Sequence, residues 1–314
     1  MLAVHLERGT VSVREKSKPR RRPGDAVIRL LAGGICNTDL ELQRGYYGFR
    51  GTPGHEFVGE VADCADKAWI GKRVVGEINL ACQRCEWCKR GLQRHCPNRT
   101  VLGIVKHPGA FQEYFTLPVP NLFEVPAKVP TEQAVFTEPV AAACEVLDQV
   151  RIERGEPVAV LGDGKLGLLI AQVLTVHGAQ VDLYGHHRRK LAIAEVLGAR
   201  GRLKPSRDKY RVTVEATGSS DGLHQAVGMT VPRGIVVMKS TVHNVVKIDT
   251  APVIVDEITL IGSRCGRFEA ALPLLKSGAL NLTPMISGEF SLREAVQGFA
   301  KAKEKGALKI LLRA

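Results

Sequence analysis

Four cysteines stand close together in the first third of the chain, at Cys82, Cys85, Cys88 and Cys96. Thiolates at such short spacing suit one tetrahedral zinc ion with no open coordination position, which stabilises a lobe of a protein. An iron–sulfur cluster is the alternative, because Cys96 is followed by Pro97 as in ferredoxins, although ferredoxins have a shorter last spacing. The sequence therefore predicts that these four cysteines form a structural zinc site.

A second group of possible ligands lies upstream, where Cys36 is followed later by His55 and Glu56. A thiolate, an imidazole and a carboxylate with one vacant position are how proteins hold a catalytic zinc ion. Taken singly, Cys36 also fits a small buried side chain, and Glu56 fits a solvated charge. The combination favours a metal site with an open position.

A G-x-G-x-x-G pattern is formed by Gly162, Gly164 and Gly167. It joins an apolar run at 158–162 to a stretch at 165–177 that is apolar at nearly every position. This order predicts a strand, a tight turn and a buried helix, which is the context in which the pattern binds a dinucleotide. The first glycine permits the turn, the second lets the pyrophosphate approach, and the third allows helix and strand to pack.

The end of the next predicted strand lacks the acidic residue that an NAD-binding fold usually places there. Gly185 takes this position, and a basic run of His186, His187, Arg188 and Arg189 follows it. Without a carboxylate there is no repulsion, and the basic side chains are donors for a 2′-phosphate. The sequence therefore predicts NADP(H) in preference to NAD(H). The alternative is that the run is only the solvated first turn of a helix.

Two regions of different pattern must position these groups. The first third is rich in glycine, proline and short β-branched runs, such as 25–31 and 57–62, and reads as mostly β. From about residue 156, strands alternate with helices, which predicts βαβ units around a parallel sheet. The 314 residues, 45% hydrophobic and 24% charged, suffice for about two domains and exclude disordered and collagen-like classes.

The net charge of +12 suits a nucleic-acid or membrane surface, but equally a ligand that carries phosphates. Charges are spread along the chain, with dense basic tracts only at 16–22 and 186–190, so a nucleic-acid-binding zinc protein is the remote alternative. The first residues lack the apolar segment of a secretory signal, and no stretch offers about 18 apolar residues for a membrane span. We expect a cytoplasmic protein with neither a membrane nor a nucleic acid as partner.

Five elements, in this order, make the sequence resemble the zinc-containing alcohol dehydrogenases of the medium-chain dehydrogenase/reductase superfamily. They are G-x-C-x-T-D at 34–39, G-H-E-x-x-G at 54–59, the four cysteines, Glu138-Pro139 and the dinucleotide pattern. The resemblance covers essentially the whole chain, and Glu138-Pro139 is closer to the threonine and sorbitol dehydrogenase branch than to liver-type enzymes.

The resemblance implies an α/β protein with a GroES-like β-rich catalytic domain and a Rossmann domain with a doubly wound parallel sheet. The implied limits are 1–137 for the catalytic domain, with a structural zinc lobe at about 80–98, 138–270 for the Rossmann domain, and 271–314 for a C-terminal part that returns to the catalytic domain.

The family also implies roles for individual residues at the metal. Cys36, His55 and Glu138 would hold the catalytic zinc, and Glu56 would bind it alternately or through water. Asp39 would fix the ring of His55. Thr38 would pass the proton between the alcohol and the outside, although Glu41 stands where liver-type enzymes have a relay histidine.

Further residues fall where the family lines its cofactor; they are Lys165, Leu166, Thr217, Gly218 and Arg264. The implied function is a zinc-dependent alcohol/polyol dehydrogenase, or carbonyl reductase in reverse, that transfers hydride between a zinc-bound alcohol and NADP(H). Zn²⁺ would occupy both the catalytic and the structural site. The alternatives are an NAD-dependent threonine/sorbitol-type dehydrogenase and a zinc-free reductase. We expect a small alcohol or carbonyl substrate and a homodimer or homotetramer.

Overall fold

The computed structural model describes residues 1–204, 208–241 and 247–314. The helices in these ranges are α1 (Asn37–Gln43), α2 (Glu86–Lys89), α3 (Thr131–Ala134), α4 (Thr137–Gln149), α5 (Lys165–His177), α6 (Arg188–Glu195), α7 (Gly222–Gly228), α8 (Ala251–Val255), α9 (Phe268–Ser277) and α10 (Ala295–Ala302). Short 3-10 helices span Tyr46–Gly48, Lys67–Trp69, Gln93–His95, Val119–Asn121, Thr283–Met285 and Leu292–Glu294.

The strands in the same ranges are β1 (Leu2–Glu7), β2 (Thr10–Glu15), β3 (Asp25–Ile35), β4 (Glu56–Asp63), β5 (Arg73–Gly76), β6 (Asn79–Leu80), β7 (Thr100–Leu102), β8 (Lys106–His107), β9 (Tyr114–Pro118), β10 (Leu122–Glu124), β11 (Pro157–Leu161), β12 (Gln180–Tyr184), β13 (Arg200–Arg202), β14 (Tyr210–Glu215), β15 (Thr230–Met238), β16 (Thr259–Gly262), β17 (Ile286–Ser291) and β18 (Lys309–Arg313).

The chain divides into two compact units, Met1–Glu138 with Ile286–Ala314, and Pro139–Met285. The first unit thus resumes at Ile286, later than the limit at residue 271 that the sequence predicts. Asn281 shows why the segment after α9 stays with the second unit. Its backbone N–H donates to Gln172 Oε1 at 2.7 Å, and its side-chain amide donates to the Ile193 carbonyl at 3.1 Å.

The first unit is built mainly from β-structure, as the sequence predicts. Within the described residues its largest sheet has seven strands in the order β10-β5-β4-β3-β18-β17, with β9 also paired to β3. The long strand β3 lies at the centre and is antiparallel to β4, β9 and β18. Aromatic side chains fill the interior, where the rings of Phe57 and Phe115 meet edge to face with centroids 4.8 Å apart. In this sheet, the predicted metal ligand Cys36 follows the end of β3, and His55 and Glu56 stand at the start of β4.

The second unit contains a parallel sheet whose order, among the described strands, is β13-β12-β11-β14-β15-β16. Every neighbouring pair is parallel. This is the strand order of the doubly wound dinucleotide-binding fold, so the predicted fold class is confirmed. Helix α5 spans Lys165–His177, the bounds that its apolar pattern predicts.

No helix in the described ranges combines the length and the apolar character that a bilayer crossing demands.

Candidate active site

The four clustered cysteines converge on one point. Cys85 Sγ lies 3.5 Å from Cys88 Sγ and 3.7 Å from Cys96 Sγ, while Cys82 Sγ lies 3.5 Å from Cys96 Sγ and 4.0 Å from Cys88 Sγ. A tetrahedron with metal–sulfur bonds of about 2.3 Å has sulfur–sulfur edges of about 3.8 Å. A disulfide would need about 2.05 Å. The lobe therefore has the geometry of a closed four-thiolate metal site.

Local backbone structure supports the thiolate form of Cys82, whereas burial raises the pKa of Cys88 to about 12. Backbone N–H groups of Arg84 and Cys85 lower the pKa of Cys82 to about 6. The N–H of Cys82 itself donates to Cys96 Sγ at 3.5 Å. Gln83 adopts a left-handed conformation, with φ at 62°, that turns the chain between the first two cysteines. Because metal binding requires deprotonated sulfur, these donors favour a bound cation.

The upstream group is assembled by the central sheet of the first unit. Cys36 is the N-cap of α1, directly after β3, while His55 and Glu56 stand where β4 begins. One ligand atom from each of Cys36, His55 and Glu56 lies within 4.8 Å of the others. Cys36 is half-buried, whereas His55 and Glu56 are buried. A thiolate, an imidazole and a carboxylate at this spacing fit a zinc ion.

The Asp39 carboxylate binds the backbone next to these ligands. It is fully buried, and its carboxylate accepts hydrogen bonds from the N–H of Cys36 at 2.8 Å and of Gly54 at 3.2 Å. Asp39 Oδ1 also lies 3.6 Å from His55 Nδ1, beyond hydrogen-bond distance, and this buried ring nitrogen has no hydrogen-bond partner among the described residues. Burial lowers the pKa of His55, but the charges of Asp39 and Cys36 outweigh it and raise that pKa well above its ordinary value. Thus both strand ends are tied to one carboxylate.

Two predicted neighbours of the metal take different positions. Thr38 Oγ1 lies 3.8 Å from Cys36 Sγ, within the first turn of α1. Glu138 lies outside the group of ligand atoms within 4.8 Å of one another, so the structure gathers Glu56 rather than Glu138 with Cys36 and His55. Burial raises the pKa of Glu138 to about 7, with His55 opposing the shift and Glu56 adding to it.

The glycine pattern of the second unit has the packing that its spacing predicts. Gly162 has φ at 114°, and a Cβ there would meet the Ala216 carbonyl oxygen at 2.4 Å. A Cβ at Gly167 would lie 1.9 Å from the Gly162 carbonyl oxygen. At Gly164, the N-cap of α5, a Cβ would meet nothing within 4 Å. The first and third glycines thus serve packing, and the second leaves an open surface at the start of a 13-residue helix.

The turn after β12 differs from the sequence prediction in one respect. Gly185 directly follows the strand, as predicted, but the turn does not lack a carboxylate, because Asp163 supplies one from the glycine pattern. Asp163 Oδ2 accepts from the N–H of His186 at 2.8 Å, the N–H of His187 at 2.7 Å and the ring Nδ1 of His187 at 2.9 Å. A Cβ at Gly185 would lie 2.5 Å from Asp163 Cβ. Glycine is therefore required there by the packing of Asp163.

The basic run itself is partly engaged. Arg188 forms a bidentate ion pair with Glu195, at 2.5 and 2.7 Å. The two residues lie seven positions apart on the same face of α6. His186 and Arg189 are exposed at the start of the same helix. Two of the four predicted phosphate donors, His187 and Arg188, are thus already held by carboxylates, and the run keeps its net positive charge.

The remaining predicted cofactor residues lie at the same edge of the parallel sheet. Thr217 and Gly218 follow β14, and their N–H groups donate to Glu215 Oε1 at 2.7 Å and to Ser240 Oγ at 2.8 Å. Arg264 follows β16, and its carbonyl accepts from Lys239 Nζ at 2.8 Å. Lys165 and Leu166 are partly buried in the first turn of α5. In open α/β sheets ligands bind at this carboxyl edge.

Comparison with known proteins decides the family. A family model described as the alcohol dehydrogenase GroES-like domain matches residues 22–127. Erythritol/L-threitol dehydrogenase of Mycolicibacterium smegmatis is 30% identical, over 95% of this chain and 93% of that protein. This chain belongs to the zinc-containing alcohol dehydrogenase family of the medium-chain superfamily.

Other members of the dehydrogenase family agree over the whole length. L-Threonine 3-dehydrogenase of Streptomyces coelicolor is 30% identical, over 94% of this chain and 93% of that protein. A solved chain from Sinorhizobium meliloti 1021, described as a zinc-binding dehydrogenase bound to NADP, has 30% identity and a TM-score of 0.91, covering 100% of this chain and 99% of its own. The predicted family is confirmed, and the chain is an oxidoreductase of the dehydrogenase type.

Sequence reasoning missed two residues of this dehydrogenase. Lys309, in the last strand, forms an ion pair with Glu56, and both side chains are buried. Asp163, inside the glycine pattern, reaches the turn after β12. For Lys309 the only available signal was a lysine at the edge of an apolar run at 307–312. For Asp163 it was an acidic residue in a motif expected to approach phosphates.

Proposed function

We propose that this dehydrogenase is a zinc-dependent alcohol or polyol dehydrogenase that prefers NADP(H) and reduces the corresponding carbonyl in reverse. The observation that carries the proposal is the group of Cys36, His55 and Glu56, whose ligand atoms lie within 4.8 Å of one another beside the buried carboxylate of Asp39. A mixed ligand set of this kind is typical of a catalytic metal with an open position. The four-cysteine lobe supports a second, structural zinc ion.

The overall reaction converts an alcohol and an oxidised dinucleotide into a carbonyl compound, a reduced dinucleotide and a proton. When bound, zinc supplies a Lewis acid for the substrate oxygen, and the nicotinamide exchanges hydride with the adjacent carbon. Among the residues, Asp39 places its charge 3.6 Å from the His55 ring and holds the backbone of Cys36 and Gly54 through their N–H groups. Thr38 Oγ1 is the hydroxyl beside the ligands and is the group proposed to relay the proton.

Support for NADP(H) comes from the turn after β12. Asp163 brings a negative charge, but three donors, including the His187 ring, already compensate it. His186 and Arg189 add exposed positive or hydrogen-bonding groups that suit a 2′-phosphate. The same carboxylate favours a second candidate, an NAD-dependent enzyme of the threonine/sorbitol type, if Asp163 accepts from the ribose instead.

The relatives support a small polyhydroxylated substrate. The proteins of similar sequence are named for erythritol and L-threitol, sorbitol and D-arabinitol, all of which are polyols. L-Threonine 3-dehydrogenase, named for a hydroxy amino acid, is as similar to this chain as the erythritol/L-threitol enzyme, at 30% identity. We therefore propose a linear polyol as the first class to test, with threonine as the comparison.

The test combines metal analysis with ligand titration of the same preparation. Plasma mass spectrometry should find about two zinc ions per chain. Fluorescence titration should give tighter binding of NADPH than of NADH, and a reversed order would favour the second candidate. Turnover of polyols and their ketoses is then screened with the preferred dinucleotide, and light scattering measures the expected homodimer or homotetramer.

Matched variants make the metal assignment specific. Cys36→Ser should remove one zinc ion and nearly all turnover, while leaving the fold intact. Cys64→Ala removes a buried free thiol that lies outside both cysteine-containing groups and should keep the full metal content. A Cys36→Ser variant that keeps both its turnover and the metal content of the wild type would contradict the proposed catalytic site.

A further inference from the structure

A lysine side chain is buried at the carboxyl edge of the parallel sheet in the second unit. Lys239 directly follows β15 and is 7% exposed. Its Nζ donates to the carbonyl oxygens of Ala142, on α4, at 2.7 Å and of Arg264 at 2.8 Å, and to Ser263 Oγ at 3.0 Å. Three oxygens at these distances suit the three donors of an ammonium group, and a cation removed from water needs such acceptors.

Two acidic side chains on the neighbouring elements β14 and α4 face other groups. Glu215, the last residue of β14, is the register partner of Met238. Because side chains alternate along a strand, Glu215 leaves the sheet on the face opposite to that of Lys239. On α4, Asp148 forms a bidentate ion pair with Arg267, at 2.9 and 3.0 Å. Carbonyl and hydroxyl dipoles therefore hold the positive charge of Lys239 at this edge.

The strand order decides which half of a dinucleotide this part of the edge receives. In the doubly wound fold the ligand crosses the carboxyl edge where the strand order reverses, with its pyrophosphate at the first glycine turn and a ribose at the end of the second strand. Here these places are the turn after β11 and the end of β12. The same rule assigns the nicotinamide half to the other side of β11, over the ends of β14, β15 and β16. Lys239 follows β15, and Ser263 follows β16.

We propose that Lys239 is a specificity-determining residue whose buried charge makes the site favour the reduced over the oxidised dinucleotide. The proposal deepens the proposed function and rests on it, because it requires that a nicotinamide dinucleotide binds. The oxidised nicotinamide ring carries one positive charge and the reduced ring carries none, since reduction adds a hydride ion. A buried cation repels only the charged form. The two dinucleotides are otherwise identical, so their remaining contacts cancel in a comparison.

The test is the ratio of two dissociation constants, for NADP⁺ and NADPH, measured by calorimetric titration without substrate. Unit charges about 10 Å apart, at the effective dielectric constant of about 20 that suits proteins, change an equilibrium by roughly tenfold. Lys239→Met should therefore lower the preference for NADPH over NADP⁺ about tenfold. Lys239→Gln keeps a hydrogen-bond donor but not the charge, and should give the same change. Lys239→Arg keeps the charge and should keep the preference, even where its larger side chain weakens both affinities.

Lys209→Met is the matched control for the loss of a positive charge. Lys209 Nζ also donates to a backbone carbonyl, that of Gly228 at 2.6 Å, but Lys209 directly precedes β14, at the opposite edge of the sheet. Its removal should leave the preference for NADPH unchanged within about twofold, because exposed charges beyond about 10 Å are screened.

The ratio separates an electrostatic role from a role in packing, because lost packing weakens both dinucleotides equally. An unchanged ratio in folded Lys239→Met or Lys239→Gln protein that binds both forms would overturn the proposal. A change in Lys239→Arg as large as that in Lys239→Met would overturn it as well. Wild-type protein that binds neither dinucleotide would overturn the proposed function itself, so the two failures are distinguishable.

Discussion

Gly167→Ala tests the packing of the glycine pattern against the start of α5. A Cβ at this position would lie 1.9 Å from the Gly162 carbonyl oxygen and 2.9 Å from its carbon. Ordinary contact begins at 3.4 Å, so helix and turn must separate by roughly 1.5 Å. Overpacking costs about 1–3 kcal/mol, and because the obstacle is backbone we expect about 3 kcal/mol.

This cost translates into a measurable change in melting temperature. For a unit of this size each kcal/mol lowers Tm by about 2–4 °C, so Gly167→Ala should lose about 6–12 °C. The assay is thermal unfolding followed by circular dichroism, together with fluorescence titration by NADPH. The dinucleotide titration is made well below the transition, where the variant is folded.

Gly164→Ala is the matched control in the same motif. Gly164 has φ at −77°, which any residue adopts, and a Cβ there would meet nothing within 4 Å. Its free energy of unfolding should change by no more than about 1 kcal/mol. The added methyl group occupies the surface that a pyrophosphate would approach, so NADPH should bind about tenfold more weakly.

The pair of variants separates packing from ligand approach. A Gly167→Ala protein that melts within about 2 °C of the wild type would refute the packing argument, since it would mean that the Gly162 carbonyl moves away without cost. A Gly164→Ala protein that binds NADPH as the wild type does would show that the dinucleotide does not approach this glycine.

Three further predictions concern the cysteine lobe and the turn after β12. Cys88→Ala should lose the metal of the lobe and melt at a lower temperature, and metal analysis with unchanged content and Tm would contradict a structural site. Gly185→Ala should lower Tm by several degrees, because its Cβ would lie 2.5 Å from Asp163 Cβ, whereas Gly262→Ala, with nothing within 4 Å, should not; equal melting of the two variants would argue against the contact. Burial raises the pKa of Asp163, but hydrogen bonds from the N–H groups and ring of His187 and from the N–H of His186 outweigh it, so that the pKa lies below its ordinary value of 3.8. A depressed carboxyl pKa means that the stabilisation is present above the ordinary value and is lost as pH falls through the lower, folded value. The Tm difference between the wild type and Asp163→Asn should therefore be largest near neutral pH and shrink below pH 3.8, and a pH-independent difference would contradict it.

Local patterns in the sequence predicted much of the fold. The bounds of α5 follow from an apolar stretch that begins at the glycine pattern and ends before Gly178, which adopts a left-handed conformation with φ at 108°. Strand β12 likewise ends directly before Gly185, where the sequence predicts the end of a strand. Both depend on neighbours within the same segment, where periodicity and turn residues act directly. The cysteine lobe belongs to the same class, because its ligands lie within one short stretch of chain.

Contacts between residues that are distant in the chain were not predicted from the sequence. The basic run after β12 looked free of carboxylates, yet Asp163 reaches His187 from the glycine pattern, 24 residues earlier in the chain. Gly185 looked like an omission of an acid, whereas its space is filled by Asp163. Each misreading has one cause, since side-chain direction and distance across a turn depend on how two strands pair and not on the order of residues.

By itself, the sequence determined which chemistry was available: thiolates, an imidazole and carboxylates at ligand spacing, and glycines between a strand and a helix. Tertiary structure alone decided which of these groups meet. Glu56 joins Cys36 and His55 in the ligand group while Glu138 does not, and Lys309 reaches Glu56 across a separation of 253 residues. The physical reason is that sheet register, together with the absent side chain of Gly34, sets this contact, and no local pattern encodes the pairing of the last strand with β3.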